Sequence, residues 1–231
     1  MSGGWKLIGI ARNNQSFAID LSLAYCLLNS SATTVFMGGL RVAIDRSIIN
    51  CYNVDFYDTL YEPYIMASKL DNFPSRKGAF KTTVLNKVRV VVKSRIITNI
   101  SQRANNEHLL QIKSASQLPG IYGRVNKIGG SVIEINETCV PQIISGFDRN
   151  TIPHELGHSL GLFHVDQNMH FFSVFGATSE QYWDLAKQKQ FRTNVMFSGG
   201  SAYMHDSLST SINTSQMKRL IENVKHNTVN K

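Results

Sequence analysis

Charge is scarce in this sequence, and negative charge most of all. Only 17% of the 231 residues are charged, with 24 Lys and Arg against 16 Asp and Glu. Hydrophobic residues make up 42%. A chain this long and this apolar buries a core, which excludes intrinsic disorder. Cysteine is limited to Cys26, Cys51 and Cys139, at unrelated spacings and with no CxxC pair. A disulfide-dense scaffold and a thiolate zinc site are therefore unsupported. One disulfide with a free thiol, or three reduced buried thiols, both stay open. No apolar run reaches the length of a transmembrane helix, so no membrane span is expected. Met1 to Ala11 holds one Lys, a short apolar stretch and no small-residue cleavage pattern, so it does not read as a secretory signal. The formal charge of +8 would suit an acidic partner. The basic residues are scattered, however, and no basic-aromatic motif accompanies them. A solvated surface is the simpler reading, and nucleic acid is not expected as a partner.

The pattern along the chain reads as a mixed sheet packed against helices. The apolar stretch Gln15 to Ser30 fits a buried helix, with poor periodicity. Gly39 to Asp45 alternates as a strand does. Asp55 to Leu70 reads as a helix that Pro63 delays or kinks. Val88 to Ile100 and His108 to Ile112 read as strands, as does Pro119 to Val125. Ser131 to Asn136 alternates clearly. A helix is expected over Asn150 to Leu160. Thr178 with Gln181, and Asn213 with Gln216, resemble capping boxes. The second opens a helix that aligns Met217, Leu220, Ile221 and Val224 on one face.

Chemistry concentrates in Thr151-Ile-Pro-His154-Glu155-Leu-Gly-His158-Ser-Leu-Gly161-Leu-Phe-His164. On a helix, His154 and His158 share one face a turn apart and can bind one metal ion. Glu155 flanks that face, within reach of a metal-bound water. Pro153 belongs in the first turn, where its missing N–H is no loss. Gly161 suits a left-handed helix stop. The turn it makes can swing His164 back toward the same metal. Three imidazoles and one open position define a catalytic zinc site, where a bound water has its pKa lowered toward about 7. Glu155 would accept the water proton and pass it to the leaving amine. A bare HExxH arises by chance about once in a hundred such chains, and Gly161 with His164 brings that to about one in a hundred thousand.

The segment resembles the HExxHxxGxxH zinc signature of the metzincin metalloendopeptidases. Thr193 to Gly199 resembles the methionine turn of that family, with Met196 as its methionine. The resemblance covers roughly Gly39 to the C-terminus. It implies an α+β catalytic domain with a twisted mixed sheet and an active-site helix. A smaller, irregular C-terminal subdomain ends in a helix. Its divisions are an unassigned N-terminal extension over 1–38, an upper subdomain over 39–164 and a lower one over 165–231.

The implied function is zinc-dependent endopeptidase activity on a peptide or protein substrate. His154, His158 and His164 would be zinc ligands and Glu155 the general base. The strand carrying Ile121, Tyr122 and Gly123 would be the cleft-side edge to which substrate adds. Phe197 and Ser198 would begin the pocket for the residue after the scissile bond. Family habit places such enzymes outside the cell. Some relatives bind calcium, but no Asp-rich loop here demands it.

Val165 after the third His, and Ser198 where some branches carry Tyr, leave the branch open. Phe171, Phe172, Phe175, Tyr182 and Trp183 read as a satellite core. His108 and His226 read as surface residues, and His170 and His205 as structural ones. Two rival readings share the zinc site: a catalytically retired binding protein, and a hydrolase of non-peptide amides.

Overall fold

A computed structural model of the chain describes residues 4–13, 16–66, 76–165, 193–197 and 210–229. The element order is β1 (Trp5–Asn13), β2 (Ser16–Asn29), α1 (Met37–Tyr52), β3 (Asp55–Met66), β4 (Arg76–Ile97), β5 (His108–Lys113), β6 (Gly123–Val125), β7 (Val132–Asn136), α2 (Val140–Ser145), α3 (Thr151–Ser159) and α4 (Thr214–Lys225). The fold is mixed α/β. Seven strands form one sheet in the order β3-β4-β2-β5-β7-β6, with β1 also paired to β2. The pairs β2–β4, β2–β5 and β5–β7 are parallel. The pairs β1–β2, β3–β4 and β6–β7 are antiparallel. Among the described residues no helix is long and apolar enough to cross a membrane.

Three expected elements are corrected. Gln15 to Ser30 is not a helix but the central strand β2. Ile19, Leu21, Leu23, Tyr25 and Leu27 enter the main core, while Cys26 and Leu28 pack with Ile97 and Leu109 in a second cluster. A strand covered on both faces loses its polar alternation, so its apolar run imitates a buried helix. Gly39 to Asp45 lies in helix α1, whose buried residues Leu40, Ile44, Ser47, Ile48, Cys51 and Tyr52 follow a helical stripe. Val42, which completes the apparent alternation, is exposed. Asp55 to Met66 is strand β3, paired with Arg76 to Lys87 of β4. Its Pro63 is tolerated because β3 is an edge strand. Residues 67–70 of the expected helix lie outside the described residues.

β5, β7, α3 and α4 fall where expected, β4 begins at Arg76 rather than Val88, and β1 and α2 answer to no expected element. β4 and β5 cover the two Val/Ile-rich runs, and β7 the alternating one. The strand expected from Pro119 is shorter and begins at Gly123. Asn213 and Gln216 form a reciprocal capping box, and Met217, Leu220, Ile221 and Val224 of α4 are buried. The capping box at Thr178 and the satellite-core aromatics lie outside the described residues. Residues 5–29, which the resemblance leaves unassigned, supply β1 and the strand at the centre of the sheet. The three cysteines are free and buried.

His108 corrects another expectation, being fully buried rather than on the surface. Its Nδ1 accepts a hydrogen bond from the Gly4 amide at 3.1 Å. Burial, reinforced by repulsion from Arg103, pushes its pKa down to about 3, against a weak pull from the Gly130 carbonyl. The unfolded chain therefore takes up this proton near pH 6.5 and the folded chain only near 3. Stability is lost as pH falls through that window. Between pH 6.5 and 5 the loss from this one group amounts to about 2 kcal/mol. Denaturant titrations in chelator should show that decline in the wild type and a shallower one in His108→Asn. Equal slopes would show that His108 protonates freely in the fold.

Candidate metal centre

Helix α3 is buried along its whole length, Thr151 to Ser159. Its start is pinned by Asp148. One carboxylate oxygen accepts from the Asn150 and Thr151 amides, both at 3.0 Å, and the other from the Thr151 hydroxyl at 2.6 Å. Pro153 falls in the first turn, as expected. At the far end Gly161 has φ +79. The Gly161 amide bonds the His158 carbonyl at 3.0 Å and the Leu162 amide bonds the Gly157 carbonyl at 2.9 Å. These are the two bonds of a Schellman stop. Asn223 of α4 donates to the Leu160 carbonyl at 2.8 Å. A Cβ on Gly161 would meet that Asn223 amide nitrogen at 2.7 Å, so only glycine fits without rearrangement.

The stop returns His164 to the helix face. Its Nε2 lies 3.1 Å from His154 Nε2 and 3.0 Å from His158 Nε2. Carbonyl oxygens hold the other ring nitrogens. His154 Nδ1 is 2.7 Å from the Val195 carbonyl, and His158 Nδ1 is 2.9 Å from that of Leu162. A carbonyl only accepts, so both Nδ1 atoms carry the proton and both Nε2 atoms present lone pairs. His164 Nε2 has at most one proton to share between two acceptors. One proton cannot bridge both contacts fully, whereas a cation between the three nitrogens would satisfy all three lone pairs. Tetrahedral ligation at 2.0–2.1 Å sets nitrogens about 3.3 Å apart, close to the spacings found. Burial lowers the His158 pKa to about 4, keeping it in the neutral form a metal requires.

Of the expected methionine turn, residues 193–197 are described, and Met196 packs against Gly157 of α3. Met196 is fully buried. A Cβ on Gly157 would come within 2.2 Å of its sulfur. The turn is held by Asn194, whose side-chain oxygen accepts from the Met196 amide at 2.9 Å. Asn194 and Gln216 also exchange two amide hydrogen bonds, of 2.9 and 3.1 Å. Val195, between Asn194 and Met196, supplies the carbonyl that orients His154. Sequence reasoning missed Asp148, Asn194, Gln216 in this second role, and Asn223. Asp148, Asn194 and Asn223 act through backbone groups, and Gln216 through the Asn194 side chain, partners distant or generic enough to leave no sequence signature. Only the Asp148-Arg-Asn-Thr run hints at a helix start.

Glu155 is buried, and that burial pushes its pKa up to about 7, partly offset by a hydrogen bond from the Val125 amide. A bound cation would favour its ionised form. Strand β6 lies alongside. The Tyr122 carbonyl and the Asn126 amide bond to β7, so the backbone groups of Gly123 and Val125 face away from it. Gly123 has no room for a side chain. A Cβ there would sit 3.1 Å from both Glu155 Cγ and Thr151 Cγ2.

Ile121, Tyr122 and Gly123 line a cleft of ≈ 1120 Å³ with His154, Glu155, His158 and His164. Phe197 is buried and not part of that lining. Ser198, His170 and His205 lie outside the described residues. His226 is exposed, as expected, and pairs with Glu222. Comparison with family models, with curated proteins and with solved structures finds no significant match in any of the three.

Gly157→Ala should displace the Met196 sulfur and disturb the Val195 carbonyl. The expected cost is about 1–3 kcal/mol of stability, with metal affinity lowered about tenfold or more. Competition against a chelator of known affinity reads the second effect. Unchanged metal affinity would show that Met196 has no influence on the centre.

Proposed function

We propose that the protein is a zinc-dependent endopeptidase of metzincin type. The observation that carries this reading is the convergence of three imidazole Nε2 atoms beside a buried carboxylate and an open strand edge. Among the described residues this is the one cluster of His, Cys, Asp or Glu suited to a metal ion. Neutral imidazoles suit zinc, and three protein ligands leave a fourth position for chemistry.

Zinc bound there supplies Lewis acidity, polarising a carbonyl and bringing the pKa of water down to about 7. The chain's own residues do the rest. An extended peptide adds to the free edge of β6, through the outward backbone groups of Gly123 and the carbonyl of Val125. That addition carries the scissile carbonyl past the three histidines. Glu155 takes a proton from the water whose oxygen bonds to the scissile carbonyl carbon, and delivers it to the amine nitrogen as the C–N bond breaks. Its apolar surroundings favour the protonated state midway through that transfer. The Val195 and Leu162 carbonyls keep His154 and His158 in the ligating tautomer throughout.

Zinc analysis with hydrolysis of a mixed peptide library tests the proposal. The wild type should hold one zinc per chain and cleave peptides until chelated, and His158→Ala should lose the metal. Glu155→Ala should keep zinc and lose at least about a hundredfold in rate. Full activity in Glu155→Ala would refute the proposed mechanism. Zinc without cleavage would make this a retired site.

A further inference from the structure

We infer that the cleft selects substrates bearing acidic side chains on one side of the scissile bond. This rests on the endopeptidase reading and concerns the chemistry of the cleft's two ends. One end is formed by Ala115, Gly120, Ile121, Tyr122, Asn136 and Thr138, none of them charged.

The opposite end lies where the turn after β6 meets the end of α3. There the Gly129 amide bonds the His158 carbonyl at 2.9 Å. Lys127, Ile128 and Phe163 line the cleft at this end. Phe163 is half exposed, and the Arg219 guanidinium of α4 lies 5.2 Å from its ring centre. Lys127 and Arg219 are both exposed. Arg124 also lines the cleft, but it is paired with Glu134.

Among the described residues, the carboxylates nearest Lys127 and Arg219 are engaged with other cations. Glu134 is shared between Arg124 at 2.5 Å and Lys113 at 3.7 Å. Glu222, one turn beyond Arg219 on α4, is held by His226 at 3.0 Å and Lys225 at 3.7 Å. Glu155 is the one carboxylate in the described lining, and it is buried beside the imidazoles. The described residues at this end of the cleft are therefore net positive before any metal is counted. An Asp or Glu side chain of an extended peptide gains attraction there, and a Lys or Arg is repelled. The apolar faces of Ile128 and Phe163 add contact for the stems of such side chains.

Peptides differing only in Glu, Ala or Lys, at each position on either side of the cleaved bond, test this with the zinc-loaded full chain. The expected result is a Glu-over-Lys preference in kcat/KM of about tenfold, confined to one side. It should shrink at about 0.5 M salt, as partly exposed charges require. The double variant Lys127→Gln with Arg219→Gln should abolish the preference, and Lys127→Glu with Arg219→Glu should reverse it. Cleavage without an acidic preference, or a preference that both double variants retain, overturns the inference and leaves the endopeptidase reading intact. Failure of the zinc-loaded wild type to cleave any peptide sinks that reading instead.

Discussion

Three imidazole nitrogens converge within 4.8 Å of one another, His164 Nε2 lying about 3 Å from each of the other two, an arrangement that neutral histidines do not favour by themselves. Two of the three present lone pairs because carbonyl oxygens hold their other nitrogens. The rest of the local fold is the means of imposing this geometry. Helix α3 is buried on every side. It is capped by Asp148 at its start and stopped at Gly161. Each constraint removes a way for the rings to move apart. A cation shared by the three nitrogens would hold the rings together, so metal binding and local folding would be linked.

The support reaches beyond the helix. Asn194 folds the Met196 turn and hands its alignment to Gln216, which also caps α4. Asn223 of the same helix closes the α3 stop. The C-terminal helix therefore braces both carbonyls that orient the ligands, that of Val195 through the turn and that of Leu162 through the stop. On the opposite side Gly123 lets β6 approach Glu155 closely enough for the Val125 amide to reach the carboxylate. Base, ligands and strand edge thus meet in one cleft although they come from separate stretches of chain.

Much of this centre was legible in the sequence, because its chemistry depends on side chains at fixed helical spacing. His154, Glu155, His158, Gly161 and His164 declare themselves through a 3.6-residue turn and a glycine stop. The capping box at Asn213 was legible for the same reason, its residues being close in sequence. The first third of the chain was misread. β2 is covered on both faces and so lacks alternation. α1 carries Val42 on its exposed side and so mimics it. His108 gave no sign of burial, since Gly4, which bonds its ring, is distant in sequence. The bracing of the centre was equally silent, because Val195 and Leu162 act through carbonyls that every residue possesses.

The central claim is that His154, His158 and His164 hold one metal with a position left open. X-ray absorption at the zinc edge of the loaded protein tests it most directly. The account predicts three nitrogens and one oxygen at about 2.0–2.1 Å, with the outer-shell pattern of imidazole. Sulfur at about 2.3 Å would move the metal to Cys26, Cys51 or Cys139 and contradict it.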